Sequence, residues 1–110
     1  MTSHYYDKDD ATHRMEIAKL APEDFKAWAN LNNIVSRENG AIPLKYRELI
    51  AIAVAHSTGC PYCIESHAKK GKAAGVTKAE MGEAVMLAAA LCAGAAAAHG
   101  GLAMKFFDAA

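Results

Sequence analysis

Apolar residues recur at the spacing of an α-helix along most of the chain, and helix start and stop signals divide them into segments. Pro22 marks the start of the first long segment, where acidic residues complement the positive end of a helix dipole. The apolar face of this segment consists of Phe25, Trp28, Ala29, Leu31, Ile34 and Val35. No run shows the alternation and β-branched enrichment of a strand. The pattern therefore predicts a compact all-α fold.

Three later segments have their own boundary signals. A proline opens the segment at residues 43–57, and a Thr-Gly pair ends it. The next helix is expected over residues 60–74, followed by a glycine suited to a C-terminal cap. Residues 77–80 fit a capping box, which starts a fourth helix. We expect Gly94 or the Gly100-Gly101 pair to divide this helix from a last segment.

The chain is small for its apolar content. It has 110 residues, of which 53% are hydrophobic and only 22% are charged. A chain of this length forms one domain with a modest core, so we predict a single domain over residues 1–110, with residues 1–20 as an N-terminal extension. Because one such core cannot hide so much apolar surface, we expect a homo-oligomer.

Charge and hydropathy narrow the cellular setting. Twelve basic and twelve acidic residues give a net charge of zero, and no basic patch interleaved with aromatic residues indicates nucleic-acid binding. The N-terminus lacks the basic and apolar regions of a signal peptide. The apolar stretch at residues 85–98 is shorter than the roughly 20 residues that a spanning helix needs. We therefore predict a cytoplasmic protein that binds neither nucleic acid nor membrane.

A Cys-Pro-Tyr-Cys motif at residues 60–63 opens the third helix. Residues three apart share a helix face, which brings Cys60 and Cys63 within reach of a disulfide. A helix N-terminus stabilises a thiolate, so the pair suits reversible oxidation. His67 follows Cys63 by four positions and lies on the same stripe, where its imidazole can exchange protons. Cys92, alone in an alanine-rich helix, is expected to be a small buried side chain.

Glu48 lies twelve positions before Cys60, on the preceding helix. It is flanked at helical spacing by apolar residues, and a carboxylate near a buried stripe needs a partner and suits a proton relay. A surface ion pair with Lys45 or Arg47 is the alternative interpretation. Three other side chains have candidate supporting roles or purely structural ones: His56, Tyr62 between the cysteines, and His99 in the alanine-rich final region.

Several chemistries use paired cysteines. A thioredoxin-type site would need a strand before the motif, and haem attachment would need a histidine where Ile64 stands. Zinc could draw four ligands from Cys60, Cys63, His67 and either Glu48 or His56. Because a single helical stripe offers poor tetrahedral geometry, we expect redox chemistry with no bound metal or cofactor.

With these residues in place, the chain resembles the AhpD-like alkylhydroperoxidase branch of the carboxymuconolactone decarboxylase superfamily. The matching pattern is Glu48, eleven residues, Cys60-Pro61-Tyr62-Cys63, three residues and His67. The similarity extends over roughly residues 40–100. It implies a compact all-α fold that assembles as homotrimers or homohexamers, and thiol-dependent peroxidase activity.

By position, the resemblance implies that Cys63 is the peroxidatic cysteine and that Cys60 is the proton donor and resolving thiol. Glu48 and His67 would form the proton relay. The substrate would be a hydroperoxide, and an external lipoyl- or thioredoxin-like dithiol would restore the pair. Tyr62 departs from the pattern, since the best-studied members have a histidine there.

We therefore predict a thiol peroxidase. Two alternatives stay open: a non-enzymatic redox-sensing or metal-binding oligomer that uses the same cysteines, and a decarboxylase- or isomerase-like lyase with Glu48 or a histidine as base. The superfamily's decarboxylases lack the cysteine pair, which points away from that reaction here.

Overall fold

A computed structural model of the chain describes residue 7 and residues 9–110, and all of the regular structure within them is helical. Five α-helices and one 3-10 segment follow one another along the chain: α1 (Asp10–Leu20), α2 (Pro22–Asn32), the 3-10 segment (Asn33–Ser36), α3 (Leu44–Thr58), α4 (Pro61–Ala73) and α5 (Lys78–Ala109). The predicted all-α fold is confirmed.

The central helix is α3, which packs against both α4 and α5. The buried apolar side chains come from α3, from α5 and from the α4–α5 connection: Ile52, Ala55, Val76, Ala84 and Ala88. The 3-10 segment also packs on α3, α2 contacts the 3-10 segment, and α1 contacts α2. The core is therefore small and lies where α3 meets α4 and α5.

Local sequence signals account for most helix ends. Gly59 caps α3 with a φ of 67°, a left-handed conformation that favours glycine. Cys60 is the N-cap of α4, and Pro61 takes the first helical position. The Thr77 hydroxyl accepts from the Glu80 backbone N–H at 3.1 Å, while the Glu80 carboxylate accepts from the Thr77 N–H at 2.8 Å. The predicted capping box is thus present.

The expected break in the last helix is wrong, because α5 runs unbroken for 32 residues through Gly94 and the Gly100-Gly101 pair. Each glycine costs about 1 kcal/mol relative to alanine in a helix. The surrounding run is dominated by alanine, the best helix former, and contains no proline. Because α5 is unbroken, its apolar stretch is also longer than expected. By length and composition alone α5 could cross a membrane, although core helices of soluble proteins can have the same length and composition.

Two further expectations concern burial and the N-terminus. Cys92, expected to be buried, is exposed in the single chain. Helix α1 occupies the second half of the predicted extension over residues 1–20, of which residues 1–6 and 8 lie outside the described part. The division of the chain into one domain with an extension stays a prediction.

Candidate active site

The first turn of α4 holds the two cysteines together. The Cys60 backbone N–H bonds to the Ala55 carbonyl at 3.0 Å, which carries the chain directly from the end of α3 into α4. The Cys60 sulfur accepts from the Cys63 backbone N–H at 3.2 Å. The two cysteines form a disulfide, with 5.3 Å between their Cα atoms. Cys60 is the N-cap and has an extended backbone, so the two cysteines do not share a helix face, but the proximity expected from their spacing is present. Both residues are half-buried.

Glu48 and His67 form a pair between α3 and α4. His67 Nδ1 lies 2.7 Å from Glu48 Oε2, and the Glu48 and His67 side chains are only 2% and 12% exposed. A buried carboxylate is stable only with such a partner. Among the described residues, no buried side-chain nitrogen or oxygen lacks a hydrogen-bond partner. The Nδ1 contact leaves Nε2 as the ring nitrogen able to act toward a ligand.

The alternative ion pairs for Glu48 do not form. Lys45 instead pairs with Glu80, with 3.0 Å between Nζ and Oε2. Arg47 donates from Nε to the Ile42 carbonyl at 2.9 Å and from Nη1 to the Ile34 carbonyl at 2.6 Å. Arg47 therefore ties the loop before α3 and the 3-10 segment to α3.

A pocket of about 400 Å³ lies beside the pair and is predominantly apolar. Cys63 and His67 form part of its wall, whereas Cys60 does not line it. The other lining residues come from the end of α2, the 3-10 segment, the following loop and α3: Asn32, Ile34, Val35, Ile42, Arg47, Ile50, Ala51, Val54, Ala55 and Thr58. A ligand in this pocket would therefore contact both Cys63 and His67.

The pocket walls were not predicted from the sequence. Ile34 and Val35 appeared only as part of an amphipathic face, and Arg47 only as a possible surface partner for Glu48. The signal that could have singled out Arg47 is weak, since a charged residue in the first turns of a helix is usually solvated. Its two bonds to backbone carbonyls depend on how the 3-10 segment folds back toward α3.

Other candidate residues lie outside this pocket. His56 Nδ1 contacts the Ile52 carbonyl of its own helix at 2.9 Å, and His99 is exposed on α5. Tyr62 faces α1, where its hydroxyl donates to Asp10 Oδ2 at 3.0 Å. The guanidinium of Arg14 lies 5.2 Å from the centre of the Tyr62 ring. Tyr62 thus connects α4 to α1 instead of joining the pair formed by Glu48 and His67.

The Asp10 carboxylate accepts a hydrogen bond from the Asp7 backbone N–H as well as the one from the Tyr62 hydroxyl. The pKa of its carboxyl is lowered, first by the Asp7 backbone N–H and then by the bond from Tyr62. His13 and Arg14 add smaller electrostatic contributions in the same direction. This cluster lies on the surface, so water screens it.

The zinc ligand set considered from the sequence is not assembled. Within residue 7 and residues 9–110, no group of three or more His, Cys, Asp or Glu side chains is arranged to hold a metal ion. The four candidate catalytic residues instead form two contacting pairs, Cys60 with Cys63 and Glu48 with His67. This arrangement can support thiol chemistry assisted by a histidine.

Comparison with known proteins agrees with this architecture. The profile of the carboxymuconolactone decarboxylase family matches residues 22–105, which span α2 to most of α5. "Uncharacterized protein 4 in cox locus" from Paracoccus denitrificans is 42% identical over 82 residues, covering 74% of this chain and 73% of that protein. The family match begins after α1 and includes the helices that carry the two pairs.

Proposed function

The chain belongs to the carboxymuconolactone decarboxylase family, and within it we propose that this protein is a thiol-dependent peroxidase of the AhpD-like type. One observation carries the proposal: Cys63 and His67 line the same apolar pocket, while Cys60 and Glu48 each contact one of them from outside it. That arrangement provides a nucleophile facing substrate, a resolving thiol and a supported proton carrier.

In the reduced protein, the Cys63 thiolate attacks one oxygen of a hydroperoxide. The S–O bond forms as the O–O bond breaks, and the alcohol leaves with a proton, so that Cys63 becomes a sulfenic acid. The Cys60 thiol then attacks the sulfenic sulfur, which forms the disulfide and releases water. The 5.3 Å Cα separation supports this step, since it lies within the range that a disulfide spans.

Glu48 and His67 act as the proton relay. The buried carboxylate accepts a hydrogen bond from the Nδ1–H group of His67, which fixes the orientation and the tautomer of the ring. Nε2 is then available to take the proton from the Cys63 thiol and to return it to the departing alcohol. Cys63 lies in the first turn of α4, where the positive end of the helix dipole further stabilises a thiolate.

An external dithiol completes the cycle. It attacks the disulfide through two exchange steps, leaves as its own disulfide and returns both cysteines to thiols. We propose a lipoyl- or thioredoxin-like dithiol as this reductant and a cytoplasmic location, where such dithiols keep cysteines reduced. A homotrimer or homohexamer is proposed for the assembly.

The test is hydroperoxide consumption with dihydrolipoamide or reduced thioredoxin as electron donor. Cys63→Ser should abolish turnover, and Cys60→Ser should stop after one turnover with a sulfenic acid at Cys63 that dimedone traps. Cys92→Ser is the matched control and should retain activity, because Cys92 lies outside the pocket. Full turnover by Cys63→Ser would refute the mechanism. Stoichiometric zinc in the purified protein, with no peroxide consumption, would favour the metal-binding alternative.

A further inference from the structure

The C-terminal half of α5 extends away from the rest of its own chain. Cys92 is within 3.5 Å of the Ser57 hydroxyl, but beyond it every residue from 93 to 109 is exposed except the half-buried Gly100. We call residues 93–109 the distal α5, which is about 25 Å long at 1.5 Å per residue. Its surface is mostly alanine and glycine, with four large apolar side chains: Leu102, Met104, Phe106 and Phe107.

The exposed area exceeds what a monomer of this size presents. The accessible surface of the chain is 8582 Å², about 2,700 Å² more than the roughly 5,900 Å² expected for a monomeric protein of this length. A stable interface buries about 800 Å² on each partner. The surplus therefore suffices for an extensive contact with another molecule.

A surface suited to receive a helix lies on the same chain. A groove of about 550 Å³ runs between α3 and the first half of α5. Its apolar lining is Leu49, Ile50, Ala53, Ala84, Leu87, Ala88 and Leu91, and we call it the α3–α5 groove. Ile50 also lines the pocket that contains Cys63, so the groove and the pocket adjoin along α3.

The ionisable residues of the distal α5 favour a second copy of this chain over a membrane as the occupant. Glu80 and Glu83 lie along the groove, and Glu80 is already paired with Lys45. The distal α5 carries Lys105, which offers a cation for the remaining Glu83, and also Asp108, so that its formal net charge is zero. Its small residues allow close approach of helices, and its ionisable side chains would be costly inside a bilayer. Each copy provides one helix and one groove, so reciprocal exchange between copies can close into a symmetric assembly.

We propose that the distal α5 of a second copy lies in the α3–α5 groove and forms the missing wall of the pocket beside Cys63. The proposal deepens the proposed peroxidase function, since it concerns the same pocket. The neighbouring helix restricts access to Cys63 along the Ile50 side and keeps water from the reacting sulfur. The pocket of an isolated chain is accordingly incomplete.

The experiment measures subunit association and Cys63 accessibility separately from peroxide turnover. Phe106→Asp/Phe107→Asp alters the distal α5, Leu87→Asp alters the groove, and Leu20→Asp is the matched control at an exposed position of α1. Light scattering gives the mass of each protein. Peptide mass spectrometry follows alkylation of Cys63 in the reduced proteins by iodoacetamide and by the bulkier N-phenylmaleimide.

Both test variants should dissociate, and Cys63 should react about tenfold faster with the bulky reagent once the covering helix is gone. The Leu20→Asp protein should match the wild type in both measurements. These variants place charge on side chains that are exposed in the single chain, and circular dichroism checks that the helices are retained. If one of the two test variants unfolds, the other still tests whether the distal α5 and the groove form the interface.

Three outcomes would overturn the proposal. Variants that stay associated would show that these surfaces are not the interface. Dissociation with unchanged alkylation would place the interface away from the pocket. Flotation of the wild-type protein with phosphatidylcholine vesicles, without self-association, would identify a membrane as the occupant of the apolar helix. Absence of peroxide turnover alone would refute only the proposed function, because neither measurement here depends on it.

Discussion

The carboxylate of Glu48 and the imidazole of His67 meet at 2.7 Å across the contact between α3 and α4, with Glu48 only 1% exposed as a residue. Nineteen positions separate the two residues in the chain. Their contact fixes how α4 packs on α3 and orients the imidazole that lines the pocket with Cys63. The same hydrogen bond therefore contributes to the fold and to the proposed chemistry.

Substitution of Glu48 should separate these two contributions. Glu48→Gln keeps the size and an acceptor oxygen but removes the charge, so peroxide turnover should fall by about 10²- to 10⁴-fold, the range of general acid–base catalysis. Glu48→Leu leaves the buried Nδ1 of His67 without a partner and should lower the free energy of unfolding by about 1–3 kcal/mol. Steady-state kinetics and urea denaturation measure the two effects.

The control is Glu65→Gln, because Glu65 is a glutamate on α4 that pairs with Lys69 at the surface. Surface pairs contribute little, so its unfolding free energy should change by less than about 1 kcal/mol and its turnover should be unaffected. Wild-type turnover in Glu48→Gln would show that the relay does not need a carboxylate.

Gly71 is a buried residue of α4 that lies beside side chains of α3 and α5. A Cβ built there would be 3.2 Å from Met81 Cε and 3.6 Å from Glu48 Cβ. Gly71→Ala should stay within about 1 kcal/mol of the wild type, because the gain in helix propensity offsets a small shift of the flexible methionine. Gly71→Leu should lower the unfolding free energy by about 1–3 kcal/mol through overpacking.

Urea denaturation at fixed protein concentration checks this prediction. Gly82→Ala is the control, since a Cβ at Gly82 meets open space, and it should stabilise the protein by about 0.5–1 kcal/mol. A Gly71→Leu protein as stable as the wild type would show that α4 can move away from Glu48 without cost.

The capping box of α5 should make stability depend on pH. The pKa of Glu80 is lowered, first by the Thr77 backbone N–H and then by Lys45. A lowered pKa gives stability that is present above the ordinary value of 4.5 and is lost as the pH falls through the folded-state value. Glu80→Gln should therefore lower Tm at pH 7 and weaken the decline of Tm below pH 4.5.

Thermal unfolding followed by circular dichroism between pH 7 and pH 3 measures this dependence. Thr77→Ala removes the other half of the capping box and should cost about 1 kcal/mol at neutral pH. Parallel pH profiles for the wild type and Glu80→Gln would contradict the assignment of acid sensitivity to this carboxyl.

Tyr62 should hold α1 against α4. Tyr62→Phe removes the hydroxyl that donates to Asp10. The pKa of Asp10 should then rise toward its ordinary value while staying lowered by the Asp7 N–H. Amide hydrogen exchange should become several-fold faster in α1 and stay unchanged in α3, as measured by mass spectrometry. Tyr46→Phe is the control, because Tyr46 is exposed on α3. Unchanged exchange in α1 of the Tyr62→Phe protein would show that the Tyr62 hydroxyl does not hold α1 against α4.

Features that depend on near neighbours in the chain were determined by the sequence alone. The all-α class, the start of α4 at the Cys-Pro-Tyr-Cys motif and the capping box of α5 follow from residues within one helical turn of each other. Backbone hydrogen bonding and side-chain spacing in a helix are local. The proximity of Cys60 and Cys63 was predictable for the same reason.

Features that depend on packing between helices were decided only by the tertiary structure. The residues themselves left Lys45 or Arg47 as possible partners of Glu48, and only the family resemblance implied His67. That pairing, and the direction of Tyr62 toward Asp10, depend on how α3, α4 and α1 are placed in space. The unbroken length of α5 is a separate case: it was not predicted, although it depends on local preferences, because many weak ones together outweigh its glycines. Side-chain partners across helices are set by crossing geometry and burial, which no periodicity along the chain encodes.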